Sequence, residues 1–220
     1  MKPYKTTTGE STASYEIQRS RFITHTQHVE SEDEARAYIL AQKKAYFDAR
    51  HNCSAYVLGP DGAKQKSNDD GEPGGTAGNP ILEAIKKKAL TDVVVVVTRY
   101  FGGIKLGAGG LIRAYSHSAV LGLDAADIVT MTPLAVVHVQ IGYDLLANVE
   151  NFLRQKNIRT GEKAYAEDVS IEILLQETEK ETLLAALTDL TSGRARFADG
   201  GMQVIAVPVT PAPSARGNQS

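Results

Sequence analysis

Five consecutive valines, Val93 to Val97, constrain this 220-residue chain more than any other feature. A strand with one wet face alternates apolar and polar residues, and this run does not alternate. It therefore predicts a strand buried on both faces, in a sheet that helices must cover. Such a layered core needs material, and apolar residues are 42% of the chain against 23% charged. That balance is ordinary for globular proteins and excludes a fibre or a wholly disordered chain. A chain of this mass buries roughly 70% of its unfolded surface, so no metal or disulfide staple is required.

Helical and strand patterns surround the valine run. Residues 12–29 read as two strands broken near Arg19-Ser20. Ser31 and Glu34 form a capping box, opening a helix to about Phe47 with Ala35, Tyr38, Ile39 and Tyr46 inward. Cys53 to Leu58 reads as a short strand. Asn79-Pro80 predicts an N-cap followed by proline at the first helical position, with Ile81, Leu82, Ile85 and Ala89 inward. A further helix is expected from about Gly109 to Ala126, burying Ile112, Tyr115 and Ala119.

The chain changes character near Met131-Thr132-Pro133, where the glycine-rich stretches end. A boundary there gives a first domain of residues 1–132, a second of 133–210, and a frayed Pro/Gly/Ser-rich tail of 211–220. The first carries 16 basic and 15 acidic side chains, the second part 8 and 11; net charges of +1 and -3 sum to the overall -2. The second domain predicts strand 134–142, helix 144–156, strands 158–165 and 169–176, and a helix opened by a Thr178/Glu181 capping box with Leu183, Leu187 and Leu190 inward. Strand 202–209 closes it. This β-α-β-β-α-β order is ferredoxin-like, and the whole chain is of the α+β class.

Location and partners are bounded by what is missing. No run of about 18 apolar residues occurs, so no membrane helix is expected. The opening MKPYKTTTGE has no apolar stretch and predicts no signal peptide. A single cysteine excludes an intramolecular disulfide and fits a reducing cytoplasm. The charge balance excludes a strongly basic nucleic-acid binder overall but leaves room for a local basic surface. Nothing in the pattern demands a cofactor, and a monomer is the expected state.

Two glycine-rich segments carry the candidate chemistry. The first, residues 67–80, places four glycines in eight residues and then enters a helix. Gly74, Gly75, Thr76 and Gly78 can bring backbone N–H groups to an anion at the helix start. Asp69, Asp70 and Glu72 just upstream can hold a hard cation, or can simply form a solvated turn. The second segment, Arg99 to Arg113, follows the valine strand with five glycines and three cations. Its Gly102/Gly107 spacing begins a P-loop, but Ala108-Gly109 replaces the lysine and hydroxyl residue. Gly107-Ala108-Gly109 begins a dinucleotide fingerprint that fails at Ile112. What survives is an anion surface of Arg99, Lys105, Gly107, Gly109, Gly110 and Arg113, the last on one helix face with His117. Lys86 to Lys88 are a weaker addition on a wet helix face. His51 and Cys53 can pair as base and nucleophile, although a small buried thiol is the commoner use of cysteine. His25, His28 and His138 lack metal-ligand spacing, and no metal site is expected.

The segments from Asp69 to Leu82 and from Val94 to Tyr115, together with Ser20-Arg-Phe-Ile23 and Arg50-His-Asn-Cys53, resemble the signatures of the IMPACT family, in its bacterial YigZ-type form. Gly74 stands where that family often has serine. The resemblance implies a first domain shaped like the second domain of a small-subunit ribosomal protein and domain IV of elongation factor G, a fold shared with small-molecule kinases. It implies a second domain like the C-terminal domain of elongation factor G. Eukaryotic members regulate translation under amino-acid stress through an additional N-terminal domain that this sequence does not contain, so that signalling role is not expected. The resemblance supplies no catalytic residue. The implied function is a translation-associated protein, without established catalysis, contacting RNA, the ribosome or a translation factor. The alternatives are a small-molecule phosphate binder or Mg-dependent enzyme using both glycine loops, and a protein-binding module in the second domain.

Overall fold

The computed structural model describes residues 1–209, and the expected frayed tail lies outside them. The chain forms two compact units. One comprises Met1–Met131 with residues 206–209, the other Thr132–Ile205.

The first unit is built on a five-stranded antiparallel sheet in the order β2-β3-β6-β4-β5. Its strands are β2 (Glu10–Ile17), β3 (Ser20–His28), β4 (His51–Leu58), β5 (Lys64–Asn68) and β6 (Val93–Tyr100). The valine run is the central strand, and all five valines are fully buried. Val93, Val95 and Val97 pack with Ile81 and Ile85 of α2 (Gly78–Lys87) and Tyr115 and Leu123 of α3 (Gly107–Asp124). Val94 and Val96 pack on the opposite face with Ala35, Tyr38 and Ile39 of α1 (Glu32–Ala45). The β2–β3 turn uses Gln18 and Arg19, both left-handed at φ 47° and 62°, the geometry that matches the twist of a tight hairpin.

Ser31 caps α1 as expected, accepting the Glu34 N–H, while the Glu34 carboxylate reaches back to the Glu30 N–H at 2.8 Å. Three local expectations are corrected. Helix α2 starts at Gly78, so Asn79 lies inside it and not at the cap, and Ala89 lies beyond its end in a left-handed turn at φ 53°. Helix α3 starts two residues early; Leu111 turns inward and Ile112 is 44% exposed. β1 (Tyr4–Thr8) and β5 were not expected, because their polar sequences, YKTTT and KQKSN, carry no apolar alternation. β1 pairs with the first residues of β7 (Asp127–Ile141), Tyr4 opposite Met131.

The second unit has the ferredoxin-like sheet order β10-β7-β9-β8, with β8 (Arg159–Tyr165), β9 (Val169–Leu175) and β10 (Arg196–Pro208). Helices α4 (Leu146–Gln155) and α5 (Lys180–Leu190) bury Val149, Leu153, Leu183 and Leu187 against Val137, Val139, Ile171 and Ile173. The expected Thr178 cap does not form, because a short 3-10 turn over Glu177–Glu179 leads into α5 with no side-chain cap. Leu190, at the last position of α5, is partly exposed. No helix among the described residues is long and apolar enough to cross a membrane.

Candidate functional site

Helix α2 is capped from outside itself. Asp69 Oδ1 accepts the N–H groups of Ala77 at 3.1 Å and Gly78 at 2.8 Å, and Oδ2 accepts that of Gly75 at 2.8 Å. The anion cradle expected over residues 74–78 is therefore filled by the chain's own carboxylate. Gly78 is needed for a separate reason: a Cβ there would stand 2.7 Å from the Asn68 backbone nitrogen. Gly74 meets no such limit. Thr76 is buried, its hydroxyl donating to the Pro73 carbonyl at 2.6 Å. Burial works to raise the Asp69 pKa, but the three N–H donors outweigh it and hold the group below its ordinary value. A depressed carboxylate stabilises the fold above the unfolded value, roughly pH 4, and loses that contribution as pH falls through the folded value. Asp69→Ala is expected to cost about 2 kcal/mol at pH 7 and to flatten the stability curve below about pH 4, measured by urea unfolding across pH.

Asp70 is also occupied. Its carboxylate meets Lys43 Nζ at 2.5 Å and accepts the Asn52 N–H at 2.7 Å. Glu72 enters the core and pairs with Arg99, Nη1 to Oε1 at 2.6 Å, with both side chains almost fully buried. Tyr115 donates its hydroxyl to the same Oε1 at 2.8 Å. Burial, reinforced by Cys53 and Glu72, pushes the Tyr115 pKa far up, so it acts as a neutral donor. Arg99 Nη2 donates to Ser20 Oγ at 3.4 Å, and the guanidinium lies 5.5 Å from the Phe22 ring centre and 5.6 Å from that of Phe101. Arg99 is thus a buried structural cation, and the expected exposed anion ligand is corrected here. Among the described residues, no three His, Cys, Asp or Glu side chains converge as a metal site requires.

The Cys–His pair does not form either. Cys53 is buried, its thiol donating to the Asp69 carbonyl at 2.9 Å, and burial pushes its pKa up to about 12. That is the opposite of an activated nucleophile. His51 Nδ1–H donates instead to the Asp70 carbonyl at 2.9 Å.

The two glycine segments meet at one cleft of about 370 Å³. Glu72 and Pro73 of the first segment and Phe101, Lys105, Gly107 and Ala108 of the second line it, with Arg50, His51 and Arg99 also in the wall. Helix α3 begins here with no side-chain cap and no acidic residue in its first turn. Its free N–H groups and dipole favour an anion. Lys105 and Arg50 are exposed, and neither makes an ion pair among the described residues. Phe101 is 49% exposed beside them. Gly109 has open space where a Cβ would go, whereas a Cβ on Gly110 would press Leu106 at 3.0 Å.

Arg113 lies elsewhere. It lines a second depression, of about 340 Å³, with His117, Tyr15 and Gly110, where the His117 ring packs edge-on to Tyr15 at 4.6 Å. Leu106 borders both hollows. Lys86 pairs with Glu83, and Lys88 with Asp124, so that lysine run is largely spent within the fold. Arg50 and His51 were absent from the expected binding set. The signal that locates Arg50 and His51 is strand register, since His51 sits opposite Arg99 across the β4–β6 ladder.

Comparison with known proteins adds an independent line. The family model described as Impact N-terminal domain matches residues 18–123, and one described as a domain of unknown function (DUF1949) matches residues 139–194. The chain is 46% identical to the IMPACT family member YvyE of Bacillus subtilis (strain 168), over 84% of this chain and 85% of that protein. It is 34% identical to the IMPACT family member YigZ of Escherichia coli (strain K12), over 87% and 92% respectively. A Dictyostelium discoideum protein named Protein IMPACT homolog is 34% identical over 50% of this chain and 30% of its own length. A crystal structure titled as that of an hypothetical protein matches at 32% identity with a TM-score of 0.59, covering 90% of this chain and 97% of its own.

Proposed function

The chain belongs to the IMPACT family, and from that premise we propose that it acts in translation by holding RNA against the cleft of its first unit. One observation carries this reading: two cations without an ion-pair partner among the described residues, Arg50 and Lys105, share a cleft with an uncapped helix start, while Asp69 and Asp70 are already engaged inside the fold. The cleft lining carries Arg50, Arg99 and Lys105 against one carboxylate, Glu72, although the whole chain has a net charge of -2. Phosphates would bind the α3 N–H groups and the two cations. The half-exposed Phe101 ring offers a platform for a base. Arg113 and His117 line a separate hollow beyond Leu106, where a following phosphate would lie.

The experiment is ribosome co-sedimentation of the full chain from lysate, with the Arg50→Ala/Lys105→Ala variant alongside. Wild-type protein is expected to pellet at low salt and to release as salt rises, and the variant to remain in the supernatant. A variant that pellets like wild type would place the contact elsewhere.

One observation favours a second reading, a protein that binds or converts a phosphorylated metabolite: the two glycine segments share a single cleft. That reading expects a metabolite to raise the melting temperature, because a ligand of the native state stabilises it. It also expects no RNA-dependent pelleting.

A further inference from the structure

Two groups in the cleft wall are short of partners. The Glu72 side chain is only 4% exposed, yet both of its donors, Arg99 Nη1 and the Tyr115 hydroxyl, reach the same oxygen, Oε1. Oε2 accepts from no described residue, and it is not among the polar atoms sealed from solvent. Oε2 therefore keeps contact with solvent, and Glu72 lines the cleft. Arg99, in the same wall, has an Nε–H without an acceptor. A carboxylate oxygen in contact with solvent accepts from water, and a ligand hydroxyl that replaces the water makes a charge-assisted hydrogen bond.

The cleft therefore offers two different things. The α3 start, Lys105 and Arg50 attract an anion. Glu72 Oε2 accepts no hydrogen bond from a described residue and can take one from a ligand. Arg99 compensates the Glu72 charge, so the acceptor does not repel an anion held nearby. A ligand that satisfies both carries a phosphate and, a few bonds away, a hydroxyl. A volume of about 370 Å³ is at the small-ligand end of binding cavities and suits one such unit.

We propose that the cleft seats one ribonucleotide unit of an RNA strand, with its phosphate on the α3 N–H groups between Lys105 and Arg50 and its ribose 2′-hydroxyl donating to Glu72 Oε2. This rests on the RNA reading above and deepens it: Glu72 makes the site selective for ribose. Deoxyribose has no hydroxyl at that position, and the 2′-hydroxyl is the group by which a protein separates RNA from DNA. A 2′-O-methyl ribose keeps the oxygen but has lost the proton, so it cannot donate.

The test varies the ligand and leaves the protein unaltered, so no folding defect intervenes. Fluorescence anisotropy measures binding of the full chain to a labelled ten-nucleotide uridine RNA, to the same oligomer with 2′-deoxyribose, and to its 2′-O-methyl form. The RNA is expected to bind about tenfold more tightly than either analogue, the size of one hydrogen bond to a charged group. Equal affinity for all three would overturn the ribose contact while leaving RNA binding intact. Binding of none would overturn the RNA reading and the ribose contact with it.

Discussion

Glu72→Ala is expected to lower the stability of the first unit by about 3–5 kcal/mol, because it strands the Arg99 cation in the core. Both side chains are almost fully buried, so solvent does not screen the loss. Tyr115 loses its acceptor in the same step, leaving a buried hydroxyl unpaired. In thermal unfolding this corresponds to a fall of roughly 10 °C. Arg99→Met strands the carboxylate instead and is expected to cost a similar amount. The double variant Glu72→Leu/Arg99→Met removes both charges and is expected to recover much of the loss, since a well-packed apolar pair often replaces a buried ion pair without penalty. A double variant no more stable than either single one would show that the pair is not the source of the loss. Arg99 variants are accordingly poor probes of RNA contact, and Arg50 and Lys105 are the better ones.

Gly102→Ala is the second large effect. An added Cβ would lie 1.9 Å from the Arg19 carbonyl carbon and 2.4 Å from the Ser20 backbone nitrogen. Both obstacles are main chain, held in the tight β2–β3 turn whose two central residues are already left-handed. The Gly102 N–H also donates to Ser20 Oγ at 3.3 Å, so displacement of the loop breaks that bond. The cost is expected to reach about 3 kcal/mol, at the upper end for overpacking, with weakened RNA binding because Phe101 and Lys105 move with the loop. Gly109→Ala is the contrast: it enters open space inside a helix and is expected to be neutral or stabilising by up to about 1 kcal/mol. Chemical denaturation of the two variants side by side measures the difference. A Gly102→Ala protein as stable as wild type would contradict the packing described.

Much of the fold is local chemistry and was legible from residue order. The valine run predicted a twice-covered strand, and the central strand is covered by helices on both faces. Ser31 announced the start of α1 because the capping hydroxyl and the Glu34 N–H it accepts are only three residues apart. β1 and β5 were illegible because their stability comes from ladder hydrogen bonds to β7 and β4, which polar residues make as well as apolar ones. The site was half legible. Glycine spacing marked both loops and the α3 start. The fates of Asp69 and Arg99 were not marked, because each is decided by a partner that folding brings close. Asp69 reaches forward 9 residues to Gly78, and Arg99 reaches back 27 to Glu72. Composition lists both as available charges, and only packing shows that they are spent. Arg113 shares a segment with Lys105 but sits six residues beyond the first residue of α3, over a different hollow.

The central claim is that RNA phosphates sit at the α3 end of the cleft. The measurement that tests it most directly is the affinity of the full chain for the uridine RNA as a function of salt, for wild type and for Arg50→Ala/Lys105→Ala. Single-stranded contacts change the slope of log affinity against log salt by about 0.7 for each phosphate neutralised. The account predicts a variant that binds more weakly, with a slope shallower by about 1.4 and an unchanged melting temperature. A variant with wild-type affinity and slope would contradict it, because the two free cations of the cleft would then touch no phosphate.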